Sequence, residues 1–392
     1  MHVAFVTGEY PPMDGGVGAY TRALAQALAT QGVRVSVITA RTAQQDGAPD
    51  DGTPDDGVTV HPVVDGWGWS MIGAVRTLAD ELGVDWLHVQ YQTAAFNMHP
   101  AINVAPTRWR RSGFHVAWTY HDLRVPYLLP KAGERLRRWV TTLPARTADL
   151  TVVTNEGDRL GLQDQPVRRL ERIPIGSNIT GVTLSPAARA AQRQERGYGA
   201  DDQVIGYFGF LNRSKGGLTL IRTLDRLVAG HPHVKLLMIG ERVGASDPSN
   251  FAYLQEVEAL IAARGLEARV QWTGRRSDAE VAADLNACDV LLMPYEDGAS
   301  LRRGTLMAGL VNGCAIVTTT PQAPLPELAM ERDVMYVAPG NDEAAARAVA
   351  RVLDNPWLAE RLRTNARERA RLFTWEGIAA AHVAAYTAAI ST

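Results

Sequence analysis

The sequence predicts an α/β protein with two doubly wound domains, each built on a parallel sheet. Short apolar runs of strand length alternate with longer segments of helical period along almost the whole chain. This alternation is typical of βαβ units, whose strands pair in parallel. The chain has 392 residues, enough for two such domains. The alternation pauses once, in a polar stretch at residues 180–202, where we expect the two domains to meet.

The first half opens with one complete βαβ unit. A buried strand at residues 2–7 is followed by a loop rich in glycine and proline at 8–18, a helix at 19–29 and a strand at 33–39. Further strands are predicted at 58–64, 86–89, 114–119, 150–154 and 172–178, and further helices at 70–82, 97–111 and 136–147.

The second half repeats the pattern. Strands are predicted at 204–208, 234–239, 270–272, 289–294, 315–318 and 334–337. Helices are predicted at 217–228, 251–264 and 277–285, then from about Arg302, and finally at 342–353, 357–372 and 375–390. The two halves therefore share one architecture.

The composition excludes several classes of protein. A hydrophobic content of 46% and a charged content of 21% are ordinary for a globular protein. The formal net charge of -2 argues against a general nucleic-acid binder. Cys288 and Cys314 are too few for a disulfide framework, which favours a reducing cytoplasm. No signal peptide is evident, and no apolar run approaches the roughly 20 residues of a membrane span.

The stretch from Tyr295 to Thr320 reads as a seat for phosphate. A glycine-bearing turn follows a buried strand, and Ser300 is expected to cap a helix that opens near Arg302. The amides at a helix N-terminus favour an anion. The positive charges of Arg302 and Arg303 are unfavourable at the positive end of the helix dipole, which suggests that a bound anion offsets them.

Three other loops carry polar groups at predicted strand ends, where open α/β sheets place their ligands. Residues 15–18, GGVG, do not form the GxGxxG fingerprint, so a tight turn and a ligand seat remain equal alternatives. His121 stands between Tyr120 and Asp122, and its alternative is a structural role. Arg213 and Lys215 flank a glycine-ended turn that reads as an anion site, with a solvated basic turn as the alternative.

Three features of the first half are less specific. The acidic segment at 46–57 is expected to be a solvated loop, with a metal site as its alternative. Aromatic side chains offer a stacking surface for an acceptor sugar or a core filling: Trp67, Trp69, Tyr91, Phe96 and Tyr127. Basic side chains offer a face for anionic lipid or a solvated helix face: Arg108, Arg110, Arg111, Lys131, Arg135, Arg137 and Arg138.

In this order and spacing, eight segments resemble the retaining glycosyltransferases of family 4, which have the GT-B fold of two Rossmann-like domains facing across a cleft. The segments are MHVAFVTGEYPPMDGGVGAY at 1–20, TYHD at 119–122, RIPIGSN at 172–178, IGYFGFLNRSKG at 205–216, KLLMIGE at 235–241, VQWTGRRSDAEVAADLNACDVLLMP at 270–294, NGCAIVTT at 312–319 and LFTWEGIAAAHVAAY at 372–386.

The resemblance implies the domain organisation. The first domain, residues 1–178, would bind the acceptor, and the last helix at 375–392 would pack back on it. The second domain, residues 179–374, would bind a nucleotide-sugar. The implied donor is a nucleoside diphosphate sugar, with UDP-sugar favoured over GDP-sugar, and neither a cofactor nor a metal is expected. The acceptor is a glycan, a lipid-linked sugar or a small molecule. We expect a cytoplasmic enzyme, with possible membrane contact through its first domain.

The resemblance also implies roles for particular residues. Gly16, beside Gly15, would bring its N–H group to the donor diphosphate, and His121 would lie near the transferred sugar. Lys215, after Gly209, would bind the diphosphate, and Arg213 would replace the family arginine, whose position holds Phe210. The implied base and ribose pocket is Gly240, Glu241, Gly274 and Arg275, and the weaker acceptor candidates are Tyr91 and Asp122.

The sequence departs from the family at two glutamates, one facing the donor sugar and one holding the ribose. Aligned on Asn312-Gly313, these positions are Ser300 and Ala308. Glu296 and Asp297 lie too early to replace them one for one. The donor seat then rests on the N–H groups of Ser300, Leu301 and Arg302 and on the charge of Arg302 or Arg303.

The expected reaction is sugar transfer to a hydroxyl with retention, in which the leaving diphosphate takes the acceptor proton and His121 orients substrate. Two alternatives remain open. One is a phosphorylase or epimerase that uses the same cleft. The other is a non-catalytic nucleotide-sugar-binding homologue, which the missing glutamates motivate.

Overall fold

The computed structural model describes residues 1–13, 15–43, 53–125, 133–243 and 249–391. The chain divides into two compact units. Unit 1 comprises Met1–Gly176 and Thr374–Thr392, and unit 2 comprises Ser177–Phe373. Both units are mixed α/β structures on parallel sheets, which confirms the fold class that the alternation predicts.

The strands, in chain order, are β1 His2–Thr7, β2 Arg34–Ala40, β3 Thr53–Asp55, β4 Val58–Val64, β5 Trp86–Tyr91, β6 His115–Tyr120, β7 Leu150–Val153, β8 Leu170–Arg172, β9 Gln203–Phe208, β10 Val234–Ile239, β11 Val270–Trp272, β12 Val290–Met293, β13 Ile316–Thr319 and β14 Met335–Val337. The helices are α1 Gly16–Thr30, α2 Met71–Leu82, α3 Ala101–Arg111, α4 Glu134–Thr147, α5 Glu156–Leu162, α6 Pro186–Glu195, α7 Gly217–Val228, α8 Ser249–Ala263, α9 Asp278–Ala287, α10 Gly304–Val311, α11 Asp342–Leu353, α12 Pro356–Ala370 and α13 Trp375–Ile390.

The sheet of unit 1 has the order β3-β4-β2-β1-β5-β6-β7-β8. Every pair is parallel except β3 with β4, which pair as a short antiparallel hairpin. Strands β1, β5 and β6 are almost wholly buried because helices cover both faces, so they appear as continuous apolar runs. The order of the strands reverses at β1 and β5, and the carboxyl ends of these strands lead to the glycine loop and to Tyr91.

The sheet of unit 2 has the order β11-β10-β9-β12-β13-β14, and all its pairs are parallel. Its order reverses at β9 and β12. The loops after these two strands hold Gly209 to Lys215 and Tyr295 to Arg303. The second core is formed by apolar residues of the strands with helices α7, α8, α11 and α12.

The last helix, α13, belongs to unit 1. The Thr374 side chain caps its N-terminus by accepting from the amide of Gly377. Ile378 and Tyr386 are buried in the same core cluster as Leu24 of α1. Gly176 abuts the indole of Trp375, where a Cβ atom would lie 2.7 Å from the ring.

The structure departs from the predicted elements in several places. Residues 172–178 contain no strand after Arg172, because β8 ends there. The polar segment at 180–202 contains helix α6, which the Ser185 side chain caps, and Arg196 just after the helix pairs with Asp284 of α9. Helix α5, which is only seven residues long, was missed.

The acidic segment at 46–57 lies partly outside the described residues. Within its described part, Asp55 is tied to three neighbours rather than solvated. It accepts from Tyr10 Oη at 2.8 Å and from Arg22 Nη2 at 2.7 Å, and Gln26 Nε2 donates to it at 3.1 Å.

Candidate functional site

Three glycines meet at the carboxyl edge of the unit 2 sheet. Gly209 follows β9, Gly240 follows β10 and Gly274 follows β11, all with positive φ angles, of 102°, 102° and 69°. A Cβ atom on Gly240 would lie 3.7 Å from the Cα atom of Gly209. Because these glycines have no side chains, a ligand can approach the backbone at this edge closely.

Lys215 points at this edge. The Asn212 side chain caps the turn of Arg213–Lys215 by accepting from the Lys215 amide at 3.0 Å. Gly216, with a φ angle of 72°, then turns the chain into α7; a Cβ atom there would clash with the carbonyl of Pro294. The Lys215 Nζ atom lies 2.8 Å from where a Gly209 Cβ atom would be.

The surroundings of Lys215 disfavour its charged form. Its side chain is 8% exposed, and burial together with the nearby Arg303 guanidinium lowers its pKa to about 7. Its ammonium lies 3.9 Å from the centre of the Phe210 ring. Among the described residues, no carboxylate pairs with it. A diphosphate would supply the missing negative charge.

Arg303 is the second cation of this site. Its guanidinium lies 4.8 Å from the Tyr295 ring centre and forms an ion pair with Asp297. Tyr295 Oη in turn lies 2.7 Å from Thr305 Oγ1. The Thr305 methyl would lie 3.0 Å from a Cβ atom on Gly209. Lys215 and Thr305 thus lie against the same glycine, and the Arg303 guanidinium is close enough to Lys215 to lower its pKa.

The start of α10 differs from expectation. The helix begins at Gly304, with Arg303 as an N-cap that has no side-chain hydrogen bond, so Ser300 does not cap it. Ser300 lies in the preceding turn, where its carbonyl accepts from the Arg303 amide at 3.0 Å. The amides at the helix start are those of Gly304 and Thr305. Leu301 is buried and Arg302 lies 4.0 Å from Asp297, so an internal carboxylate already compensates the two arginines in part.

Arg213 is not brought to the glycine edge. Its side chain is 69% exposed, pairs with Glu256 of α8 at 2.8 Å and lies over the Tyr253 ring at 5.0 Å. The cation that accompanies Lys215 is Arg303, which comes from another loop. Sequence spacing offers no signal for this because the two residues are brought together by the β9–β12 pairing.

The other residues predicted to bind the donor differ in their surroundings. Gly240 and Gly274 form a β-bridge, and the Gly240 amide donates to Thr273 Oγ1 at 2.9 Å. Glu241 and Arg275 follow these glycines and are exposed. Ala308 is fully buried in α10, and Glu296 accepts from Thr219 Oγ1 at 3.0 Å. No carboxylate therefore takes the family's ribose position among these residues.

In unit 1, a carboxylate of the protein itself accepts hydrogen bonds from the amides of the glycine loop. Glu9 Oε1 accepts from the amides of Val17 at 3.0 Å and Gly18 at 3.3 Å, at the N-terminus of α1. A Cβ atom on Gly15 would lie 2.3 Å from this carboxylate, so a side chain there would push the Glu9 carboxylate away from the two amides. Gly16 has open space around it. Burial raises the pKa of Glu9. Glu9 was not among the predicted site residues.

His121 follows β6 in unit 1. Its Nε2 atom lies 2.9 Å from Oε1 of Gln90, and its ring meets the Tyr20 ring edge-on with centroids 4.7 Å apart. Burial and the neighbouring His382 lower the pKa of His121 to about 3. The imidazole is therefore neutral at physiological pH, and it can accept or donate one hydrogen bond without carrying charge.

The two weaker acceptor candidates differ. Tyr91 is 2% exposed and packs against Trp118 with ring centroids 4.9 Å apart, which agrees with the core alternative rather than with a stacking surface. Asp122 is partly buried and accepts from the Arg124 amide at 3.2 Å. Of the aromatic set, Trp67 and Phe96 are buried, whereas Trp69 is 53% exposed. Tyr127 lies outside the described residues.

The basic face expected in unit 1 is centred on α4. Leu136 and Trp139 are about half exposed, and Arg135 and Arg138 beside them are exposed. Arg110 is instead paired with Asp149 at 2.8 Å, and Lys131 lies outside the described residues. No helix in the described ranges is long and apolar enough to cross a membrane. Within the same ranges, no cluster of three or more His, Cys, Asp or Glu side chains could hold a metal ion.

Two α/β units, each on a parallel sheet, are the architecture of the GT-B fold. Comparisons with known proteins agree. Residues 15–176 match the glycosyl transferase 4-like domain, and residues 188–369 match the glycosyl transferases group 1 family. Together these matches cover most of the chain, which belongs to this family of glycosyltransferases.

Individual relatives are distant. A D-inositol 3-phosphate glycosyltransferase from Streptomyces griseus is 27% identical over 225 residues, 57% of this chain and 47% of that protein. The chain thus spans about half the length of that relative. Sucrose-phosphate synthase from Thermosynechococcus elongatus has a TM-score of 0.78 at 22% identity, covering 100% of this chain and 99% of its own. HepE from Anabaena, in complex with UDP and glucose, has a TM-score of 0.75 at 18% identity, covering 99% and 100%.

Proposed function

We propose that this protein transfers a sugar from a nucleoside diphosphate sugar to an acceptor hydroxyl, with retention of anomeric configuration. The observation that carries the proposal is the buried Lys215 ammonium beside the backbone of Gly209, with the Arg303 guanidinium as its neighbouring cation. A buried ammonium with a lowered pKa and no carboxylate partner in the described chain is suited to a ligand that brings negative charge.

The glycine edge gives the donor its place in unit 2. The diphosphate lies against Gly209, where Lys215, Arg303 and the first amides of α10 stabilise the charge that develops on the leaving oxygen. The base and ribose reach toward Gly240, Glu241, Gly274 and Arg275. UDP is favoured as the nucleotide, an assignment supported by the UDP and glucose bound to HepE.

The bond from the anomeric carbon to the diphosphate oxygen breaks with its electron pair leaving on the diphosphate. The acceptor hydroxyl bonds to the anomeric carbon on the same face, and its proton passes to a diphosphate oxygen. No protein carboxylate is needed as nucleophile. His121 of unit 1, neutral and held by Gln90, orients a substrate hydroxyl by a hydrogen bond. A metal is not required, so transfer should persist in EDTA.

The test compares Lys215→Met and His121→Ala with Arg213→Ala. Lys215→Met keeps the buried aliphatic volume and removes the charge, so it should reduce UDP-glucose hydrolysis or transfer by at least 100-fold, as expected for lost transition-state stabilisation. Arg213→Ala removes a surface ion pair and should retain most activity. Full activity in Lys215→Met with a normal fold would refute the proposal.

A second candidate function is nucleotide-sugar binding without turnover. The fully buried Ala308 and the absence of a carboxylate at Ser300 favour it. Calorimetry with UDP and GDP, followed by a hydrolysis assay, separates the two: binding with no turnover across many acceptors would support this candidate.

Membrane contact through α4 remains a proposal that rests on exposed Leu136 and Trp139 beside arginines. Flotation with vesicles of phosphatidylglycerol and phosphatidylcholine tests it. Loss of flotation in a Leu136→Ser, Trp139→Ser variant is the expected result.

A further inference from the structure

A network of buried polar side chains, which we call the ladder, lies on one face of β5 and β6. His88 and Gln90 lie two residues apart on β5, so their side chains share one face of the sheet. His88 Nε2 lies 2.7 Å from Thr119 Oγ1, and Gln90 Oε1 lies 2.9 Å from His121 Nε2. His88 and Gln90 are both 0% exposed. Such a network must be satisfied by defined donors and acceptors.

Helix α13 contributes to the same ladder. Tyr386 Oη lies 2.5 Å from His88 Nδ1, and the His382 ring centre lies 5.8 Å from that of His88. His382 also lies close enough to His121 to lower its pKa. The face of β5 that carries His88 and Gln90 is therefore the face that meets α13.

The proton on His382 can be located. Its Nδ1 atom lies 2.8 Å from the carbonyl oxygen of Ile378, which only accepts, so Nδ1 carries hydrogen. Burial lowers the pKa of His382 to about 4, so the ring is neutral and Nε2 is a bare acceptor. This Nε2 atom is buried and has no hydrogen-bond partner in the described part of the chain.

The Gln90 Nε2 atom is likewise buried and has no hydrogen-bond partner among the described residues, so it is not hydrogen-bonded to His382 Nε2. The other end of the amide is paired. Gln90 Oε1 lies 2.9 Å from His121 Nε2, and because a carbonyl oxygen only accepts, that nitrogen carries the hydrogen. Since the ring of His121 is neutral, its Nδ1 atom is then an acceptor.

We propose that Gln90 is a positioning residue that holds His121 as the Nε2–H tautomer. His121 then presents Nδ1 as a hydrogen-bond acceptor for a hydroxyl group of the sugar or the acceptor. The substrate half of this proposal rests on the proposed function, whereas the tautomer does not.

The direct test is NMR of protein with ¹⁵N-labelled histidine. The chain has nine histidines, and a His121→Gln variant assigns the signal of interest. In the wild type, His121 should show a protonated Nε2 and a bare Nδ1 at pH 7. Gln90→Leu should give a mixture of tautomers. Gln90→Glu, which is isosteric, should protonate both nitrogens because a buried carboxylate favours the imidazolium.

Gln163→Leu, at an exposed glutamine of the same unit, is the matched control and should leave the His121 signals unchanged. A wild-type His121 with Nδ1 protonated, or a tautomer unchanged in Gln90→Leu, would overturn the proposal.

Activity supplies a second readout. Gln90→Leu should lower kcat about tenfold, the effect of one misplaced hydrogen bond, while the thermal shift induced by UDP stays as in the wild type. Absence of turnover in the wild type would count against the proposed function alone, since the NMR experiment decides the tautomer without it.

Discussion

The ammonium of Lys215 lies 3.9 Å from the centre of the Phe210 ring, the position at which the family pattern has an arginine. An aromatic face thus occupies the place of the usual first cation. The second cation is instead Arg303, which reaches Lys215 from the loop after β12. The proposed donor site thus has two positive charges, one of which comes from a different loop.

The Phe210 ring should support the charge of Lys215. Replacing it with leucine removes a cation–π contact of about 0.5–2 kcal/mol, so the ammonium is less favoured and the Kd for UDP at pH 7 should rise about twofold to tenfold. Isothermal calorimetry measures this. Phe251→Leu, at an exposed phenylalanine of the same unit, is the control. Tighter binding in Phe210→Leu would show that the ring obstructs the site rather than supporting the charge.

Donor affinity should depend on pH through Lys215. Its pKa of about 7 in the free protein means that the amine is charged below pH 7 and neutral above it. A bound diphosphate favours the charged form and raises the pKa, so binding above pH 7 takes up a proton. The Kd for UDP-glucose should be constant below pH 7 and rise by up to tenfold per pH unit above it.

Calorimetry in buffers of different ionisation enthalpy measures this proton uptake. Lys215→Met should abolish the pH dependence along with most of the affinity. Arg213→Ala should leave the profile in place, because that guanidinium pairs with Glu256. A wild-type profile that is flat from pH 6 to 9 would contradict the assignment.

Gly15 and Gly16 should respond differently to alanine. Gly15→Ala places a methyl group 2.3 Å from the Glu9 carboxylate, so it should destabilise unit 1 by about 1–3 kcal/mol. Gly16→Ala meets open space and should fold normally, yet lower kcat/KM if its amide faces the diphosphate. Urea denaturation and steady-state kinetics separate the two effects. Equal stability of both variants would disprove the contact with Glu9.

Tyr386 should stabilise unit 1 through His88. Tyr386→Phe removes the hydroxyl that meets His88 Nδ1 and leaves a buried nitrogen without a partner, at a cost of about 1–3 kcal/mol in the free energy of unfolding. Thr387→Val, on the exposed side of the same helix, is the control and should change stability by less than about 0.5 kcal/mol. Denaturant titrations measure both, and an unaltered Tyr386→Phe would argue against the ladder.

The sequence was most informative where a local pattern carries the structure. Strands such as Val234–Ile239 and helices such as Gly217–Val228 were predicted with their observed bounds, because their apolar period and flanking glycines are local signals. Helix α6 was missed although it carries local signals: the Ser185 side chain caps it, and Pro186 stands at its first position. The start of α10 was placed two residues early because Ser300 resembles a cap without acting as one.

By itself, the sequence determined the two α/β units, the loops at their carboxyl edges and the presence of His121 and Lys215 at strand ends. Only the tertiary structure decided which charges meet. In the folded protein, Arg213 pairs with Glu256, and Arg303 lies close to Lys215. Glu9 accepts hydrogen bonds from the glycine loop, and Tyr91 is buried. The stretch from Tyr295 to Thr320 keeps its arginines, yet Asp297 shares their charge. Electrostatic partners depend on distance in space, which the pairing of strands sets and local spacing does not encode.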